Sequence, residues 1–127
     1  MRDRYEANDD AGARAYSLSG ANRLLNATVD FWDDQDDVYA VKLKKGQRVY
    51  VGLTGSDSTV DLSLALWLPR TRSIETVSNI RFRAKVSARP AAREYFSYRA
   101  PARGTYSVQV RMSSPGLTSY RLRVVKG

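Results

Sequence analysis

The chain has 127 residues, 43% of them hydrophobic, and a net charge of +8, which suits one domain with its own core and argues against disorder. It contains no cysteine and no histidine, so disulfides, zinc-thiolate sites, cysteine nucleophiles and imidazole general bases are excluded. The charge is uneven: residues 1–40 hold nine acidic and four basic residues, a net of −5, whereas residues 41–127 hold four acidic and seventeen basic, a net of +13.

The opening "MRDRYEANDD" is polar and does not read as an export leader, and a domain lying inside a longer exported chain would not carry one. Residues 1–13 read as an arm that precedes a domain over residues 14–127. The stretch "DDAGARAYSL" is the one helical candidate, weakened by Gly12. After residue 24 almost everything alternates with period two, as expected where one face of a strand is buried. "NATVDF" places Ala27, Val29 and Phe31 on one face, "VYAVKL" Tyr39, Val41 and Leu43, and "RVYVGL" Val49, Val51 and Leu53. "DLSLALWL" places Leu62, Leu64, Leu66 and Leu68 together. "IRFRAKV" sets Ile80, Phe82, Ala84 and Val86 against Arg81, Arg83 and Lys85 on the opposite face. "YFSYRA" reads as a strand of undecided facing. "YSVQVRM" aligns Tyr106, Val108, Val110 and Met112, and "YRLRVV" aligns Tyr120, Leu122 and Val124 with Arg121 and Arg123 opposite. The connections "KKGQ", "TGSDST", "LPRTRS", "ARPAAR", "APARGT" and "SSPGLT" are rich in turn formers. Gly104 in "ARGT" is expected to permit a tight turn. About eight short strands joined by such turns predict an all-β, antiparallel sandwich. No apolar run approaches the length of a membrane-spanning helix.

Two constellations carry chemistry. The first is acidic. "DRYEANDD" offers Asp3, Glu6, Asn8, Asp9 and Asp10, and "DDQDD" offers Asp33, Asp34, Asp36 and Asp37. Brought together, such oxygen donors suit a calcium ion, which takes six to eight of them. The EF-hand frame does not fit, because counting from Asp34 puts Val38 at the third ligand position. The alternative is a solvated turn whose carboxylates cap backbone amides. A carboxylate pair for glycoside hydrolysis needs a cleft between the two groups, and nothing in the pattern marks one. The second constellation is basic: Arg81, Arg83, Lys85, Arg121 and Arg123, joined by Lys42, Arg48, Arg99 and Arg111. If their strands adjoin, they form a cationic stripe for phosphates or sulfated glycans. Trp67, Tyr50 and Tyr95 are then available to stack on a ligand. Their alternative is an ordinary solvated face that discourages edge aggregation. No Gly-rich phosphate loop or RNA-binding motif supports nucleic acid.

In order along the chain, "DRYEANDD", "DDQDDVYAVKL", "KGQRVYVGLTG", "VDLSLALWL" and "PARGTYSVQV … SYRLRVV" resemble the motifs of the bacterial pre-peptidase C-terminal domain family, relatives of collagenase collagen-binding domains. The resemblance covers essentially the whole chain. It implies a jelly-roll-like β-sandwich that is non-catalytic. Such a domain is an accessory of a larger secreted or cell-surface bacterial protease or hydrolase, and some relatives bind calcium or matrix polymers. The positions matching the family's calcium ligands are Glu6, Asn8, Asp9, Asp33 and Asp36, with Tyr39 packed beneath the turn and Asp34 and Asp37 facing water. Ala7 stands where the family has Pro, Arg4 where calcium-binding relatives carry a carboxylate, and Val38 where Trp or Phe is common. The expected partners are a parent-chain catalytic domain and, through the basic faces, a matrix polymer or polyanion.

Overall fold

The computed structural model describes residues 16–18, 20, 22–30, 36–56, 60–69, 83–87, 93–112 and 114–127. Nine strands occur among them: β1 Tyr16–Leu18, β2 Asn22–Asp30, β3 Asp36–Leu43, β4 Arg48–Gly55, β5 Leu62–Trp67, β6 Arg83–Ser87, β7 Arg93–Arg99, β8 Gly104–Met112 and β9 Leu117–Lys126. They form a five-stranded sheet, β1-β3-β8-β5-β6, and a four-stranded sheet, β2-β9-β4-β7. Apart from β5 to β6, each strand is followed by one in the opposite sheet, so the two sheets are woven into one core. This is the all-β sandwich that the alternation predicts. The described part of the proposed helical stretch is strand: Tyr16–Leu18 pairs in parallel with Tyr39–Val41.

The alternating side chains meet between the sheets. Tyr39, Val41, Leu43, Leu62, Leu64, Leu66, Tyr106, Val108, Val110 and Met112 come from one side, all 2% exposed or less. Leu25, Ala27, Val29, Val49, Val51, Leu53, Phe96, Tyr120, Leu122 and Val124 come from the other. Each fully buried aliphatic side chain contributes about 2 kcal/mol of transfer free energy. Inward Phe96 fixes the facing of β7, which puts the polar side chain of Glu94 inward as well, with no exposure.

The turn at Lys44–Gln47 closes on Gly46, whose φ of 82° lies in the left-handed region. Gly46 N–H donates to the Ala100 carbonyl at 2.7 Å, tying this turn to the end of β7. Gly104 has a different reason from the expected tight turn. A Cβ there would lie 2.5 Å from Pro69 Cγ, so glycine is needed for close approach. Nearby, the Tyr106 hydroxyl donates to the Ala102 carbonyl at 2.7 Å, pinning the loop before β8.

Candidate binding face

The two described aspartates of the acidic turn go opposite ways, because neighbours on a strand face opposite sides of the sheet. Asp36 sits on the outer side of β3, opposite Arg111 of β8. Arg111 Nη1 donates to both of its carboxylate oxygens, at 3.0 and 3.2 Å. Gln109 Nε2 donates to Asp36 Oδ1 at 2.8 Å, and Gln109 Oε1 accepts from Trp67 Nε1 at 2.9 Å. A polar chain therefore runs across β5, β8 and β3. Trp67, expected to be available for stacking, is instead buried at 4% exposure with its N–H already used.

Asp37 points into the sandwich and has no exposure, which corrects the expectation that it faces water. The Tyr120 hydroxyl donates to Asp37 Oδ2 at 2.5 Å. Tyr39 and Tyr120 hydroxyls are also 2.5 Å apart, and since the Tyr120 proton serves Asp37, Tyr39 is the donor between them. The relay joins β3 to β9 across the core. A carboxylate in this position is tolerable because a donor meets it. Burial, followed by the Asp37 charge and the Tyr39 contact, pushes the Tyr120 phenol well above its ordinary pKa.

Of the calcium set, Glu6, Asn8, Asp9 and Asp33 lie outside the described residues. Asp36, the described member, has its charge answered by Arg111, so a cation at the same oxygens would compete with that guanidinium. Among the described residues no group of three or more acidic side chains is close enough to hold a metal ion.

The basic set divides. Arg81 lies outside the described residues. Arg83 and Lys85 are on β6, at the edge of the five-stranded sheet, in register with Trp67 and Leu66 across an irregularity. Arg121 and Arg123 are on β9, inside the four-stranded sheet. The single stripe over both pairs therefore does not form within one sheet.

What forms instead is a cationic, aromatic face on the outside of the four-stranded sheet. One ladder row crosses all four strands: Leu24, Arg123, Gly52 and Tyr95. The next row on that face carries Asn26, Arg121 and Thr54. On the other side come Tyr50 and Ser97, then Arg48 directly opposite Arg99. Arg48, Arg99, Arg121 and Arg123 are all exposed, and no carboxylate stands among the described side chains of this face. Two arginines opposite each other repel at some cost, which an anion placed between them would relieve. Leu24, Tyr50 and Tyr95 are 56%, 41% and 50% exposed, unusually high for large apolar side chains. With Gly52, Arg121 and Arg123 they line an open groove of about 280 Å³, closed from below by Leu53 and Glu94. The pattern gave Tyr50, Tyr95 and both arginines. Leu24 and Gly52 carried no signal, since each reads as an ordinary strand residue.

No family model matches the chain, and no curated protein matches it. Solved structures do. The chain is similar to the pre-peptidase C-terminal domain of collagenase from Bacillus anthracis at 16% identity and a TM-score of 0.66, over 87% of this chain and 93% of that one. It is similar to PliG of Aeromonas hydrophila, a periplasmic inhibitor of g-type lysozyme, at 16% identity and TM-score 0.68, covering 89% and 96%. CorA, a surface-associated copper-binding protein of Methylomicrobium album BG8, matches at 13% identity and TM-score 0.63, covering 89% and 98%. The sandwich implied by the motif order is thus the fold of that collagenase domain, and proteins with other tasks share it.

Proposed function

We propose that this chain is a non-catalytic binding module, an accessory domain of a larger exported bacterial protein, whose outer four-stranded face binds an anionic polymer of a matrix or cell surface. The observation that carries this reading is the composition of that face. The outer face of the four-stranded sheet carries four exposed arginines and two exposed tyrosines; Tyr50, Tyr95, Arg121 and Arg123 line its groove, with the buried Glu94 beneath. Arginine suits sulfate and carboxylate groups because its planar fork donates two parallel hydrogen bonds.

Other points support it. Asp36 and Asp37 face opposite sides of β3, and both are engaged by neighbours, which does not suit a carboxylate pair working across a cleft. The proteins of similar fold include a collagenase domain, a periplasmic inhibitor and a surface-associated protein, in keeping with export and with binding as the task. A calcium staple through Glu6, Asn8, Asp9, Asp33 and Asp36 belongs to the same reading as a stabilising element, on condition that the ion takes Asp36 from Arg111.

The test is retention on immobilised heparin as salt is raised. Retention at low salt that is lost with increasing salt supports the reading, since exposed charge pairs are screened. Passage through the column at low salt overturns it.

A further inference from the structure

Gly52 is the centre of the groove, and its missing side chain has a visible use. A Cβ at residue 52 would lie 3.1 Å from the Tyr50 hydroxyl oxygen and 3.2 Å from Tyr50 Cε1. Tyr50 and Gly52 are two apart on β4, on the same face. The phenol therefore leans along its own strand and lies over Gly52, close enough that a Cβ there would push its outer edge away by a few tenths of an ångström. At 41% exposure the ring remains open to solvent. The result is an aromatic surface laid on the sheet, with Arg123 and Tyr95 on either side in the Gly52 row.

The arrangement of charge along the strands is the second observation. Arg121 and Arg123 stand at one end of this surface, and Arg48 and Arg99 at the other. Between them the row of Tyr50, Val125 and Ser97 has no cation. From the Gly52 row to the Arg48 row is four residues, roughly 14 Å along the sheet. A ligand that satisfies both ends has anionic groups separated by an uncharged, partly apolar ring surface. Single-stranded nucleic acid carries a charge at every nucleotide and is tracked by a continuous basic groove, whereas here the Tyr50 row between the two arginine pairs has no cation. A sulfated or uronate-bearing oligosaccharide matches both features.

We infer that Tyr50, given room to lie over Gly52, is the sugar-stacking platform of an anionic-glycan site, with Arg121 and Arg123 at one end of the sugar chain and Arg48 and Arg99 at the other. This deepens the proposed function and rests on it. The platform makes Gly52 a positioning residue: it sets where the phenol lies and need not touch the ligand.

The experiment compares three probes by calorimetry on the full chain: a heparin hexasaccharide, an inorganic polyphosphate of matched charge, and an oligothymidylate. The variants are Gly52→Val, which props the ring up while keeping a good strand former, and Tyr50→Ala, which removes it. Thermal melts confirm that each is folded, and Tyr50→Ala keeps the test open should Gly52→Val not fold. Both variants are expected to weaken the hexasaccharide by about tenfold, the size of one lost stacking contact. Polyphosphate, which has no ring to stack, is expected to change by less than about twofold. Equal losses for both probes, or none for either, overturn the platform and leave the anionic face standing. Oligothymidylate binding more tightly than the hexasaccharide overturns the glycan assignment. If the unmodified chain binds none of the three, the face itself is wrong.

Discussion

Tyr120→Phe deletes one oxygen and tests whether the buried aspartate or its partly buried neighbour matters more to stability. The lost hydroxyl donates to Asp37 Oδ2 and accepts from Tyr39, both at 2.5 Å and both out of contact with water. A hydrogen bond to a charged group is worth about 1.5–3 kcal/mol, and the neutral one adds roughly 1 kcal/mol. The expected loss is therefore about 2–4 kcal/mol. At a urea dependence of about 2 kcal/mol per molar, the denaturation midpoint falls by roughly 1–2 M. Arg111→Ala is the comparison. It breaks the ion pair with Asp36, in which the arginine is 45% and the aspartate 14% exposed; a solvent-screened pair contributes about 1 kcal/mol, and Gln109 still donates to Asp36 once the arginine is gone. Adjacent aspartates thus have very different consequences, decided by the face each occupies. A wild-type midpoint for Tyr120→Phe, or a greater loss from Arg111→Ala than from Tyr120→Phe, would refute these assignments.

The same phenol predicts a pH dependence. Its pKa is raised in the folded state, so its contribution is fully present below about pH 10, the ordinary tyrosine value, and is lost as pH rises beyond it. Between pH 9 and 12 (roughly, the range bracketing tyrosine ionisation), wild-type stability should fall more steeply than that of Tyr120→Phe, and parallel urea midpoints would contradict this. Gly46→Ala, at a positive φ with nothing within 4 Å of the new Cβ, should cost about 1–2 kcal/mol for backbone strain alone. Gly104→Ala, whose Cβ meets Pro69 at 2.5 Å, should cost at least as much through overpacking, about 1–3 kcal/mol. Melting curves of the two variants check both values. The calcium staple predicts a higher melting temperature in Ca²⁺ than in EDTA, with about 2.7 kcal/mol gained at a hundredfold excess over Kd. Removing the competing guanidinium with Arg111→Ala should tighten binding, and identical melts for stripped and calcium-loaded protein would end the proposal.

Alternation exposed most of the sandwich because it follows directly from burying one face of each strand. It failed where an inward position is polar. Asp37 and Glu94 face the core, so the first looked solvated and the facing of β7 looked undecided. It also failed where an outward position is buried, as at Trp67. The strand Tyr16–Leu18 is three residues long and pairs in parallel with β3, so no local pattern marks it. Alternation assigns a face but not a sheet. Whether Arg83 and Lys85 adjoin Arg121 and Arg123 therefore stays open in the pattern, and the chain sends β6 and β9 to different sheets. Tyr50 and Tyr95 were visible as aromatics, but the groove depends on Gly52 lying beside Arg123 and Tyr95. That row is made by pairing residues far apart in the chain.

Charge reversal with a heparin readout tests the binding face most directly. Arg121→Glu with Arg123→Glu changes the four-stranded face, and Arg83→Glu with Lys85→Glu changes the edge of the other sheet, by the same amount of charge. Salt-gradient elution from heparin separates the two. The β9 pair should lose retention at salt concentrations where the β6 pair still holds like the unmodified protein. Equal losses from both pairs, or a greater loss from the β6 pair, would contradict it.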